Sequence, residues 1–173
     1  MAHEPPDREF DEFARARTPA LLRSAFLLTG DQHLAEDLVQ TALAKTLLAW
    51  KRLQRTENAE AYTRKVMYHL QVGWWRRRAR ERAVLQLVDR PDTQADASED
   101  IARQIALHQA LQRLTKRQRA VLVLRFFEDR GVNDTARILG CTVGTVKSQT
   151  AKALLRMRAE LPDDFQTQEW SLA

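Results

Sequence analysis

Lys147, Ser148, Gln149 and Lys152 stand close together in the last third of the chain, and their chemistry is that of contact with a polyanion. Ammonium groups neutralise phosphates, and a serine hydroxyl bonds a phosphate or a base edge. A glutamine amide pairs bidentately with N6 and N7 of adenine. Gly144 and Ala151 share that helical face and let a nucleic-acid backbone approach closely. Just upstream, Ala136, Gly140 and Val146 hold the spacing Ala-x3-Gly-x5-Val of a helix-turn-helix. The alanine leaves room where two helices cross, the glycine takes a left-handed turn, and the valine pins the second helix to the first. Thr142 caps that second helix ahead of Thr145, while Val143, Val146, Thr150, Ala153 and Leu154 recur at helical steps and are expected to face the interior. The other reading of the segment is a plain helix hairpin with a solvated lysine face. Residues 101–161 carry 12 basic against four acidic side chains, a net +8, which favours DNA in the major groove.

Two further groups stand in the first half. Trp74-Trp75-Arg76-Arg77-Arg78 sets paired indoles beside guanidinium groups, and both kinds of plane stack on unpaired bases. A buried indole and a solvated helix end are the competing account, and the two accounts are compatible in part. Asp37, Leu38 and Gln40 form an acidic, amide-bearing stretch with a leucine, suited to docking a basic protein or simply to facing water. Catalysis finds no support: His3, His33, His69 and His108 are scattered, none at metal-ligand spacing with Cys141, and no phosphate loop or nucleophile elbow occurs. Neither a metal nor a cofactor is expected.

The elements that must position these groups are helices. Glycine and proline number five each in 173 residues, and no alternating run reads as a strand. Helices are expected over residues 10–28, stopped by Gly30; from the Asp31 cap to Trp50; and from about Asn58 through the tryptophans. In the second half they run over residues 101–114, from a Thr115 cap to Phe127, over 132–139 and over 143–161. Residues 89–100 carry five acids against one arginine, net −4, with almost no large apolar side chain, and read as a linker. Residues 162–173 add an acidic tail of net −3. The division is therefore an N-terminal helical domain at 10–84, a linker at 85–104, a second helical domain at 105–161 and a tail at 162–173, each domain with its own small core. A single cysteine, no apolar run near the roughly 20 residues of a membrane span, and a polar, acidic start imply a soluble cytoplasmic protein.

Taken in order, these segments resemble the extracytoplasmic-function (ECF) sigma factors of bacterial RNA polymerase. Gly30-Asp31 through Trp50, with Ala35-Glu36-Asp37-Leu38-Val39-Gln40, resembles the part of region 2 that docks on the polymerase. Ala61-Tyr62 through Arg78 resembles the part that opens and reads the −10 element. Leu111 through Leu161, with Gly144-Thr145-Val146-Lys147-Ser148, resembles region 4. The Trp-Trp-Arg-Arg pattern resembles an actinobacterial subgroup. The resemblance implies an all-α protein of two small helical domains that directs core RNA polymerase to promoters. Asp37, Leu38 and Gln40 would meet the polymerase. Asn58, His69, Trp74, Trp75, Arg76, Arg77 and Arg78 would take the melted −10 strand. Thr142, Gly144, Thr145, Lys147, Ser148, Gln149 and Lys152, with Arg119 on a phosphate, would read the −35 duplex. Partners would be core polymerase, promoter DNA and an anti-sigma factor, with no membrane. The chain departs from the family at His69, where asparagine is usual, at Gln149, where arginine is common, and at Arg130 and Thr135, where apolar residues are usual. The linker would suit a basic channel of the polymerase or serve as a spacer. A stand-alone helix-turn-helix regulator would explain the second half alone, and a tRNA-processing enzyme would need catalytic residues that the chain does not offer.

Overall fold

The computed structural model describes residues 6–53, 56–82 and 99–161. Seven α-helices run in the order α1 (Pro6–Thr29), α2 (Gln32–Leu53), α3 (Thr56–Arg82), α4 (Glu99–Arg113), α5 (Lys116–Leu122), α6 (Val132–Leu139) and α7 (Val143–Glu160). A π-helical turn, Val123–Phe127, extends α5, and no strand occurs among the described residues. Local chemistry sets the boundaries. Gly30 ends α1 at φ +74°, and its amide reaches the Phe26 carbonyl at 2.8 Å. Asp31 then accepts from the Leu34 amide at 2.9 Å and starts α2. Thr115 and Gln118 exchange side-chain and backbone bonds as a capping box at the start of α5. The helix over Lys51–Leu53 extends α2 beyond the expected end at Trp50.

The first three helices pack as a bundle, with Ala35, Leu38, Val39, Ala42, Thr46 and Ala49 forming the buried stripe of α2. Phe10, Phe13 and Trp50 close its far end, with ring centroids 5.2–6.2 Å apart. In the second half α4, α5 and α7 share a cluster of Ala110, Leu111, Leu114, Leu122, Ala153, Leu154, Met157 and Leu161. The largest cluster belongs to neither half alone. It joins Leu21, Ala25, Leu28, Leu38, Met67 and Tyr68 to Val121, Val123, Leu124, Ala136, Leu139 and Val146. Each half thus has a cluster of its own, and a further shared core packs the two halves face to face. No helix among the described residues is long and apolar enough to cross a membrane.

The C-terminal turn of α1 shows how tightly the halves are fitted. A helix end leaves its last carbonyls without intrahelical donors. Here the Leu27 carbonyl accepts from Gln112 Nε2 at 3.0 Å. The Leu28 carbonyl accepts from both Gln71 Nε2 at 2.7 Å and Arg119 Nη1 at 2.6 Å. Three of the caps on this turn therefore come from α3, α4 and α5, and the negative end of the α1 dipole meets a guanidinium.

His108 of α4 lies flat on Phe26 of α1, centroids 4.7 Å apart at 13°. Burial pushes this imidazole below the ordinary histidine range, the Arg119 charge adds to the push, and a hydrogen bond with the Phe26 backbone opposes it. The folded chain therefore favours the neutral ring, and the unfolded chain binds the extra proton. The stability held by the neutral ring is complete above about pH 6.5 and falls as pH drops through that value. Thermal melts between pH 7.5 and 5 are expected to show a steeper loss for the wild type than for His108→Phe, which keeps the stacking. Parallel pH profiles would refute this role of His108.

Candidate nucleic-acid interface

The turn between α6 and α7 has the geometry its residue types imply. Gly140 sits at φ 63° and ψ 41°, the left-handed region, and the Cys141 amide returns to the Ala136 carbonyl at 3.0 Å. Thr142 Oγ1 accepts from the Thr145 amide at 3.1 Å and starts α7. Ala136 and Val146 are both buried in the shared core, so the valine anchors α7 as its spacing predicts. Thr135, too, is buried, and its hydroxyl has no hydrogen-bond partner. Val143 departs from expectation: it is an exposed residue at the first turn of α7, where the helix has only begun to meet the core.

The outward face of α7 presents Gly144, Lys147, Ser148, Ala151 and Lys152, all exposed, with Gln149 half-buried at its edge. Ser148 donates to the Thr145 carbonyl at 3.1 Å, leaving its oxygen lone pairs to accept. Thr142 and Thr145 share a hydroxyl hydrogen bond of 2.9 Å at the helix start. Two cations, open backbone and the Ser148 hydroxyl thus lie on one helical surface, with the Gln149 amide at its edge.

Arg119 corrects the expectation of a phosphate contact. It is buried and donates to the carbonyls of Leu111 (2.8 Å), Gln112 (2.8 Å), Leu114 (3.2 Å) and Leu28. Burial lowers its guanidinium to about 10, so it remains charged at neutral pH. With its donors engaged on backbone, it is a structural pin between α4, α5 and α1. Leu38 is corrected as well. It is 0% exposed, because it lies on the Ala35–Ala42 stripe rather than on the face of Asp37. Asp37 and Gln40 are exposed on the opposite side of α2. The apolar residue on that side is Leu48, 87% exposed, with Leu47 beside it. The two lie further along the helix than the stretch that drew notice in the sequence.

On α3 the Asn58 side chain donates to the Leu53 carbonyl at 3.1 Å. His69 is exposed, and its Nε2 sits 2.9 Å from the Ile138 carbonyl of α6. His69 thus touches the second half while the residue remains exposed. The backbone of Trp74, Trp75, Arg76, Arg77 and Arg78 continues α3, and their side chains lie outside the described residues. So do residues 83–98, which hold most of the expected linker, and the tail 162–173, whereas residues 99–104 of that linker belong to α4.

Comparison with known proteins matches residues 13–81 to the family model of sigma-70 region 2 and residues 104–157 to that of sigma-70 region 4. The RNA polymerase sigma-E factor of Streptomyces coelicolor is 43% identical over 154 residues, covering 88% of this chain and 86% of the relative. The ECF RNA polymerase sigma factor SigM of Mycobacterium tuberculosis is 30% identical over 157 residues, covering 90% and 79%. Among solved structures, the sigma factor RpoE of Bartonella quintana, crystallised with the anti-sigma factor NepR, has the same fold. Its TM-score is 0.73 at 24% identity, over 94% of this chain and 99% of that one. With both regions matched in order and these relatives aligned over most of their length, the chain belongs to the extracytoplasmic-function sigma factors of RNA polymerase.

Proposed function

We infer that this sigma factor reads the −35 duplex with α7 and the melted −10 strand with α3, while the outer face of α2 holds core polymerase. The observation that carries the reading is the exposed Gly144–Lys147–Ser148–Ala151–Lys152 face, set on a helix whose opposite side is anchored by buried Val146. A helix fixed on one side and cationic on the other fits a major groove. Asp37, Gln40, Leu47 and Leu48 supply the polymerase-facing surface. The Trp74–Arg78 run supports placing the chain in the actinobacterial subgroup and supplies stacking groups for unpaired bases. Such a factor works in the cytoplasm beside the polymerase, and an anti-sigma factor is a further partner that this reading admits. Strand separation would draw on binding energy alone.

Run-off transcription with purified core polymerase tests the function directly: a promoter-dependent transcript is expected only when the chain is added. A stand-alone repressor would instead bind promoter duplex tightly without polymerase. For α7, Lys147→Ala is expected to weaken holoenzyme binding to promoter DNA and to lower its salt slope by about one unit. A titration that returns the wild-type slope would remove Lys147 from the phosphate contacts.

A further inference from the structure

The cationic face of α7 runs past the part that a DNA groove would fill. Gly144, Ser148, Ala151 and Leu155 follow one another at steps of four, three and four, so they form one stripe along the helix. Lys147 and Arg158 flank it on one side and Lys152 on the other, all exposed. Arg156 stands further round and donates to Gln118 Oε1 at 3.2 Å. The sole carboxylate of α7 is Glu160, and it pairs with Arg113 of α4 at 3.0 Å. The stripe is thus cationic along its length, with no acid of its own helix left to answer it. Leu155, towards its far end, is 70% exposed. A single exposed leucine is ordinary on a surface; this one is set apart by standing among cations. It lies about 10 Å beyond Ser148 along the helix, whereas a recognition helix meets base edges with its first turns. Duplex DNA accounts for the start of the stripe and leaves Leu155 uncovered.

The chain that leaves α7 has the complementary make-up. Leu161 is buried in the cluster with Leu111, Leu114 and Leu122, which fixes where residues 162–173 depart. They hold Asp163, Asp164 and Glu169, no lysine or arginine, and two aromatic residues, Phe165 and Trp170. The carboxylates suit Arg158, Lys152 and Lys147, and an aromatic ring suits Leu155. A segment that only solvated the chain would need no aromatic ring. Length suffices. Leu155 lies about 9 Å and Lys147 about 21 Å back along the helix from Leu161, and the nine residues that lead to Trp170 span up to about 30 Å when extended. Other pairings fit less well. A second copy would set one cationic stripe against another. Ile101 and Ile105 of α4 are also exposed, but they follow Glu99 and Asp100, which repel an acidic segment.

We propose that the acidic, aromatic segment 162–173 folds back along α7, covers Leu155 and pairs with Arg158, Lys152 and Lys147, and so competes with duplex DNA for that face. The competition rests on the reading of α7 as the −35 contact; the docking does not. Each exposed ion pair is weak. Tethering makes up for this, because a segment attached at Leu161 meets α7 at an effective concentration on the order of millimolar. Free DNA must compete against that concentration. When polymerase holds the rest of the factor on a promoter, the −35 duplex is tethered as well, and its charge density of about one phosphate per 1.7 Å displaces the segment. The free factor is thereby kept off non-promoter DNA while the holoenzyme is not.

The docking is tested with a nitroxide at position 171 of the full-length chain, attached through Ser171→Cys in a Cys141→Ser background. Paramagnetic broadening of amide signals is expected over residues 147–158 and not over residues 101–105. Broadening centred on α4, or spread evenly over the chain, would overturn the fold-back. The competition is tested by binding to a short mixed-sequence DNA duplex. Phe165→Ser with Trp170→Ser keeps the net charge and is expected to raise that affinity about tenfold, as for a face covered about nine-tenths of the time. If the tail acts through its overall charge alone, this variant binds as the wild type does. Only Asp163→Asn with Asp164→Asn and Glu169→Gln would then bind more tightly, and the covering of α7 would be refuted. Broadening over α7 with duplex affinity unchanged in both variants would leave the docking standing and remove α7 from the DNA contact instead.

Discussion

Arg119→Met is expected to cost the chain about 4 kcal/mol of stability and to lower its melting temperature by about 10 °C. The methionine keeps an unbranched apolar stem of similar reach, so the loss isolates the guanidinium. Four carbonyls, those of Leu28, Leu111, Gln112 and Leu114, each lose a charged donor, while Leu28 keeps Gln71 and Leu111 keeps the Leu114 amide. Each is an end-of-helix acceptor, and water does not reach most of them once the halves are packed. Lysine is expected to recover only part of the loss, because an ammonium cannot fan its protons over four acceptors as a planar guanidinium does. Thermal denaturation followed by circular dichroism is the measurement. The outcome also decides between two roles. A phosphate contact would leave the melting temperature intact and weaken promoter binding, whereas a structural pin does the reverse.

Much of the architecture is legible because it is local. Ala136, Gly140 and Val146 name a turn whose geometry involves only their own neighbours, and the structure places all three as the spacing requires. The caps at Asp31, Thr115 and Thr142 are read the same way, each from a side chain and the amide three residues on. What is not legible is the meeting of the halves. Arg119 follows Gln118 in a stretch that resembles a DNA-binding region, and nothing nearby reveals that the end of α1 will lie 2.6 Å away. His69 and Ile138 are likewise joined across a contact that no local pattern encodes. Leu38 is a different case. Asp37 and Leu38 are adjacent and so point about 100° apart on a helix, and the stripe Ala35–Leu38–Ala42 was there to be followed. The π-helical turn leaves no mark in the sequence, nor does the pairing of Glu128, whose amide closes that turn on the Val123 carbonyl, with Arg64 and Tyr68 of α3.

The face of α2 that remains after this correction carries the second large effect. Asp37, Gln40, Ala44, Leu47 and Leu48 are all exposed. Asp37 and Leu48 lie three turns apart on nearly the same line, about 16 Å along the helix. A leucine left 87% in water returns about 2 kcal/mol when a partner buries it. An aspartate in the same place adds the cost of desolvating a charge against an apolar pocket. Leu48→Asp is therefore expected to weaken association with core polymerase about 100-fold, with the melting temperature unchanged within a degree or two. Leu38→Asp, by contrast, buries a carboxylate in the core and is expected to unfold the chain before any partner is met. The pair separates docking from folding on one helix, with fluorescence anisotropy against core polymerase as one readout and the melt as the other. If Leu48→Asp binds polymerase at wild-type strength, the docking surface lies elsewhere than this face of α2, and the exposure of Leu48 needs another partner to explain it.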